Sequence, residues 1–287
     1  MSGWPSSILV ALGHAFAVRG LLPLVLASVV ASCSSAGSSS EVMEGADNKA
    51  SAGAETLEGP VPRSKRIVTP LLKAVDSGDS ERVRLLLENG HKADDERSIR
   101  SPLVRAISAF GGSTRLECRT AIVALLLQHG ADPNRSDPMT RQLPLHLSLS
   151  LGNLACAEQL RAAGADVNAQ QEGRESTLAA ATKGAILTGD NGLIRSVLSW
   201  GIPIETRSRG PRASTALHTA VWYAKIGPIR ALLELGSDHC ARNSAGLTAL
   251  DLAKIDANPR RPGSIEVRDF LATLPACLPR DTAKKPN

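Results

Sequence analysis

The sequence predicts an all-α fold, a solenoid of about six stacked helix-turn-helix repeats, the last of them a truncated cap. Three observations predict it. A short phrase recurs six times: "TPLLKAV" from Thr69, "SPLVRAI" from Ser101, "LPLHLSL" from Leu143, "STLAAAT" from Ser176, "TALHTAV" from Thr215 and "TALDLAK" from Thr248. Its third-place leucines, Leu71, Leu103, Leu145, Leu178, Leu217 and Leu250, are 32, 42, 33, 39 and 33 residues apart. An apolar run then closes on a glycine in the first five units, at Gly90, Gly130, Gly164, Gly201 and Gly236, which is 19, 27, 19, 23 and 19 residues past the leucine. The composition agrees: 43% of the chain is hydrophobic but only 2% aromatic, and a Leu/Ala/Val/Ile mixture favours helix over strand.

In chain order, the first element is a leader. After Arg19, the run Leu21 to Val30 is about half the length needed to cross a bilayer and suits the apolar centre of a secretory signal. Its end, Val30-Ala31-Ser32-Cys33, resembles a bacterial lipobox. That resemblance implies a signal peptide over residues 1–32, lipidation of Cys33 and a mature N-terminus there; an ordinary cleaved signal and an uncleaved anchor stay open. Ser34 rather than Asp follows the cysteine, which in such lipoproteins implies the periplasmic side of the outer membrane rather than inner-membrane retention. Residues 33–62 are rich in Ser, Gly, Ala and acids with no apolar period, and read as a disordered tether. The preface Met1 to Val18 is long and charge-poor, and a start at Val18 would leave a compact signal.

The repeats occupy residues 63–275, with a tail over 276–287. Thr or Ser at the phrase start can cap a first helix. Small residues (Ala74, Ala106, Ala180, Ala220, Ala253) let helices approach, and the leucine pairs Leu86/Leu87, Leu126/Leu127 and Leu232/Leu233 supply the apolar face of a second helix. One unit cannot bury its own face, so the stack is the stable object. The spacing and the phrases "LPLH" and "GADVN" resemble the ankyrin repeat. The second unit carries eight extra residues around "FGGSTRLECRT" and the fourth carries four around "KGAILTG", about one helical turn. The last has "ANPRRPGS" between its helices and no Gly-Ala-Asp loop, as a C-terminal cap would.

Catalytic chemistry finds no foothold. The six histidines and five cysteines show no metal-ligand spacing, and there is no Gly-rich phosphate loop and no nucleophile motif. We expect no catalytic residue, no cofactor, no metal and no small-molecule substrate. His146 and His218 hold the fourth place of the phrase, where the ankyrin resemblance implies a structural histidine bonded to a neighbouring loop. The charged loop "HKADDE" reads as a solvated edge. A net charge of +5 is modest, and export excludes nucleic acid as the partner. Because ankyrin units stand about 10 Å apart at matching positions, beyond disulfide reach, Cys118 and Cys156 are expected to be unbonded. Cys240 and Cys277 are left open.

What remains is binding. Trp222 and Tyr223, the latter the chain's only tyrosine, follow Thr215 as the eighth and ninth residues of their unit. The ankyrin resemblance places them on the concave face, at positions that partners rather than neighbours select. The counterparts Asp76-Ser77, Ser108-Ala109 and Ser150-Leu151 are not aromatic. Arginines crowd the repeat junctions, and Arg207, Arg209 and Arg212 would supply a polar rim for a partner with an acidic surface, with Lys183 and Arg141 extending it. The competing reading is that the aromatics cover the extra turn near Ile186 and Leu187. The sequence therefore points to an exported, lipid-anchored, non-catalytic protein-interaction module. An immunity protein against a periplasmic toxin, an accessory factor protecting a periplasmic enzyme, and a cytosolic scaffold with a misread N-terminus stay open.

Overall fold

The computed structural model describes residues 67–110, 116–170, 175–209 and 213–277. All of them lie in one compact unit within Glu58–Asn287. The expected signal segment, Cys33, the tether to residue 62 and Arg212 lie outside the described residues.

Twelve helices occur among the described residues, in six consecutive pairs. They are α1 (Pro70–Ser77) and α2 (Ser80–Glu88), α3 (Pro102–Ile107) and α4 (Thr120–Gln128), α5 (Pro144–Ser150) and α6 (Leu154–Ala162). Then come α7 (Thr177–Thr188) and α8 (Gly192–Leu198), α9 (Ala216–Trp222) and α10 (Ile226–Glu234), α11 (Ala249–Asp256) and α12 (Ser264–Ala272). Every first helix starts one residue inside a recurring phrase. The hydroxyls that precede four of them act as caps: Thr69 Oγ1 accepts from the Leu72 N–H at 3.2 Å, Ser101 from Val104 at 3.4 Å, Ser176 from Ala179 at 3.3 Å and Thr248 from Asp251 at 3.2 Å. At α11 the cap is reciprocal, because Asp251 accepts from the Thr248 N–H at 3.0 Å. The glycine after each of the first five second helices is left-handed, Gly164 at φ 92°, and lets the chain reverse toward the next unit.

The first helices pack in unbroken succession, α1 on α3, α3 on α5, α5 on α7, α7 on α9 and α9 on α11. Their shared core is a column of the third-place leucines: Leu71, Leu103, Leu145, Leu178 and Leu217 are all buried, and only Leu250, in the terminal pair, is half-exposed. Three places past each leucine, alanines 74, 106, 181, 220 and 253 are buried beside them, as is Ala180, and Ser148 takes that place in α5, its hydroxyl donating to the Leu145 carbonyl at 2.8 Å. The four extra residues of the fourth unit lengthen α7 to 12 residues.

That longer helix leans directly on α5. A Cβ on Gly184 would stand 1.9 Å from the Leu149 carbonyl oxygen and 3.0 Å from the Gly152 nitrogen, both backbone atoms that cannot rotate away. Gly184→Ala should therefore push α5 and α7 apart and cost about 1–3 kcal/mol despite alanine's better helix propensity. Gly227→Ala in α10 meets only the Asn191 side chain at 3.5 Å and should hold or raise the urea midpoint. Equal midpoints for the two variants would refute the close-approach argument.

Two features lie outside the repeat pattern. The insertion in the second unit makes a short antiparallel ladder, β1 (Ala109–Phe110) with β2 (Leu116–Glu117), a local addition to described residues whose other elements are all helices, as the all-α reading expects. The same insertion corrects the cysteine reading: Cys118 and Cys156 are disulfide-bonded, with Cα atoms 6.4 Å apart. The 10 Å step holds only for residues at matching positions, and these two do not match. Cys118 leaves the ladder just before α4, out of the repeat register, whereas Cys156 sits in the first turn of α6. Cys240 and Cys277 are also bonded, Cα to Cα 5.4 Å, which ties the chain after α12 back to the loop after α10.

Candidate interaction surface

The residue five places after each phrase leucine lies within one residue of the C-terminal end of a short first helix, or midway along the lengthened α7. In order these are Asp76, Ser108, Ser150, Lys183, Trp222 and Ile255. The row changes character along the stack. Asp76 is paired with Arg105 of the next unit at 2.6 Å, and Lys183 with Glu175 at 2.8 Å. Trp222 and Ile255, on adjacent packed helices, are instead 42% and 66% exposed, and Leu187 at the end of α7 is 53% exposed. Large apolar side chains at equivalent places on neighbouring helices make a patch, which scattered surface leucines do not.

Trp222 is framed by the last unit. The Arg261 guanidinium stands 5.6 Å from the centre of its ring and also donates to the Trp222 carbonyl. The backbone approaches closely as well: Gly263, at φ 81°, has no room for a Cβ, which would fall 2.5 Å from the Ala224 oxygen. The same device recurs at the other end of the stack, where Arg119, before α4, donates to the Val75 and Asp76 carbonyls that end α1. An arginine ahead of a second helix thus satisfies the open carbonyls of the preceding unit's first helix. Tyr223 is the half-buried C-cap of α9.

The arginines predicted as Trp222's rim lie elsewhere. Arg207 and Arg209 precede the N-terminus of α9 while Trp222 ends it, seven residues or about 10 Å of helix away. Arg207 donates to the Arg242 carbonyl in the next loop, and the Arg207 carbonyl and Arg209 N–H are both held by Gln170, at 3.1 and 2.8 Å. Arg141 is exposed at φ 59°, its N–H donating to the Asp137 carbonyl at 2.8 Å. Lys183 is in the Trp222 row, but in ion pair with Glu175. The cation at the aromatic is Arg261, which the sequence reading passed over; the signal was its place in "ANPRRPGS", between the two helices of the last unit.

The loops are joined by a ladder of side chains. The fourth residue after each loop glycine accepts from the N–H of the second residue after the next one: Asp94 from Asp132 at 2.5 Å, Asn134 from Asp166 at 2.8 Å and Glu205 from Asp238 at 2.9 Å. Asn168 would meet Pro203, which has no N–H, and the Gln170 contacts take over there. At the fifth rung the residue is Cys240, and the bond to Cys277 stands in place of a hydrogen bond.

The two phrase histidines divide. His218 is buried and satisfied: Nε2 lies 3.0 Å from the Leu247 carbonyl, so that nitrogen carries the proton, and Nδ1 accepts from the Thr215 hydroxyl at 2.9 Å. His146 is as buried, but Leu143 replaces the threonine and neither ring nitrogen has a hydrogen-bond partner among the described residues. Burial pushes its pKa down to about 4, and the Glu175 backbone facing the ring offsets this only in part. Neither histidine is placed for acid–base chemistry on a substrate. The one grouping of metal-ligand side chains among the described residues is His239 with Cys240 and Cys277.

Residues 141–172, which hold α5, α6 and the loop that follows, match the ankyrin repeat family. No curated protein matches the chain.

Proposed function

We propose that the chain is a non-catalytic ankyrin-repeat solenoid of six units that binds a partner protein through the apolar end of its first-helix row. The ankyrin repeat is a protein-interaction module, and the match over residues 141–172 supports that reading in general. The observation that supports this surface is the exposure of Trp222 and Ile255 at equivalent places on α9 and α11, where the preceding units carry Asp, Ser, Ser and Lys. Exposed Lys225, Lys254 and Arg260 lie within three residues of Trp222, Ile255 or Arg261 in sequence, and Arg261 stands against the indole. The partner that fits presents an apolar core with an acidic rim.

We further propose export and lipid anchoring at Cys33, on the periplasmic face of the outer membrane. The lipobox-like end of the apolar run supports this, as does the pairing of all four described cysteines, which an oxidising compartment favours. Labelled palmitate should enter the wild-type chain and not Cys33→Ala; equal labelling would refute the anchor.

The surface is tested with the full-length chain as bait against an envelope extract. Truncation of a central Trp in an interface costs about 2 kcal/mol or more, so Trp222→Ala with Ile255→Ala should weaken capture of the partner at least tenfold. The double variant should keep its helicity and cooperative melting. Tyr223→Ala, removing a half-buried side chain, should weaken capture less. Unchanged capture, or loss of cooperative melting in the double variant, would mean that these side chains pack rather than recognise.

A further inference from the structure

We propose that His239, Cys240 and Cys277 form a thiol-gated site for a thiophilic cation such as Zn²⁺, closed while the two cysteines are bonded and opened by a dithiol reductant. The three side chains each offer one ligand atom, and those atoms lie within 4.8 Å of one another. A tetrahedral zinc ion with bonds of about 2.3 Å to sulfur and 2.0 Å to nitrogen holds its ligand atoms about 3.5–3.8 Å apart. Breaking the disulfide lets the sulfurs part to that distance, and the imidazole, already within 4.8 Å of both, has then only to close the remainder.

The surroundings suit the change. All three residues are half-buried, so a reductant can reach the bond. Cys156 of the other disulfide is fully buried in the core. Cys277 lies beyond the end of α12, after exposed Pro275 and Ala276, so a movement of its sulfur does not disturb a packed helix. The imidazole is already oriented: His239 Nε2 is 3.1 Å from the Pro275 carbonyl, which can only accept, so Nδ1 is left as the basic nitrogen. A cleft of about 280 Å³ adjoins the trio, lined by Arg242, Leu250, Leu271 and Leu274 among others, and gives the segment room to move.

The step balances. The dithiol reductant gives two electrons and two protons to the Cys240–Cys277 bond and leaves as its own disulfide. The two thiols then lose two protons as the cation binds two thiolates and neutral His239, with a fourth position open. Cys240 holds the rung position that carries Asp, Asn or Glu in the four preceding loops, which aims its sulfur along the stack toward the terminal segment.

The test uses the full-length chain carrying Cys33→Ser, so that no cysteine outside the two disulfides contributes. After phosphine reduction and removal of the phosphine, Co²⁺ should bind at one equivalent with thiolate-to-cobalt absorption, and Zn²⁺ should displace it; the oxidised chain should show neither. Cys240→Ser with Cys277→Ser should abolish the signal although Cys118 and Cys156 remain. His239→Ala, which keeps both cysteines, should weaken binding at least tenfold. No stoichiometric binding by the reduced chain, equal binding by the serine double variant, or equal affinity in His239→Ala would overturn the proposal.

Discussion

Replacing Cys118 and Cys156 together by alanine should lower the free energy of unfolding by about 4 kcal/mol. The bond closes a loop of 38 residues, and restricting the unfolded chain by that much is worth about 4 kcal/mol in the loop-entropy relation. The loop encloses α4, α5 and most of the approach to α6, whose apolar faces (Ile122, Leu126, Leu145 and Leu149 among them) are buried in the shared core, so the native state cannot recover the loss by fraying locally. Alanine at position 156 also leaves a small space in a site with no exposure. Urea unfolding under non-reducing conditions gives the difference, and a non-reduced digest should contain one peptide linking residues 118 and 156. A loss below about 1 kcal/mol, or a digest without the linked peptide, would contradict the bond.

The second large effect is acid sensitivity through His146. Its pKa is about 4 folded against 6.5 unfolded. Between those values the unfolded chain binds a proton that the folded chain refuses, so stability is full above pH 6.5, falls as pH drops through this window, and levels off below 4. The shift corresponds to about 3 kcal/mol. His218 is lowered in the same direction by burial. Asp94, raised by burial, works the other way, while the lowered Asp95 and Asp251 lose their contribution only below the usual carboxylate range. His146→Leu should flatten the fall between pH 6.5 and 4. Leu143→Thr should add about 1 kcal/mol at pH 7, by giving Nδ1 the hydroxyl that Thr215 gives His218, and should steepen the acid loss. An identical pH slope in His146→Leu and wild type would remove His146 as the cause.

The sequence by itself determined the periodic part of this protein. The leucine column, the caps at Thr69, Ser101, Ser176 and Thr248, the left-handed glycines and the extra turn of α7 all follow from local spacing, because a helix's apolar face and its ends are set by residues within a few positions of one another. The tertiary structure decided what depends on where one unit's insertion meets the next. An insertion has no place in the period, so nothing local says where "FGGSTRLECRT" delivers Cys118 or where "ANPRRPGS" sends Arg261. The ladder, by contrast, was written in the sequence as the recurring place of Asp94, Asn134, Asn168, Glu205 and Cys240, yet became legible only when Asp94, Asn134 and Glu205 were seen to reach the following loop. Trp222 stands between the two cases. Its place in the row is periodic, while the cation against its ring comes from the neighbouring unit, because packing brings side chains 39 residues apart in sequence into contact.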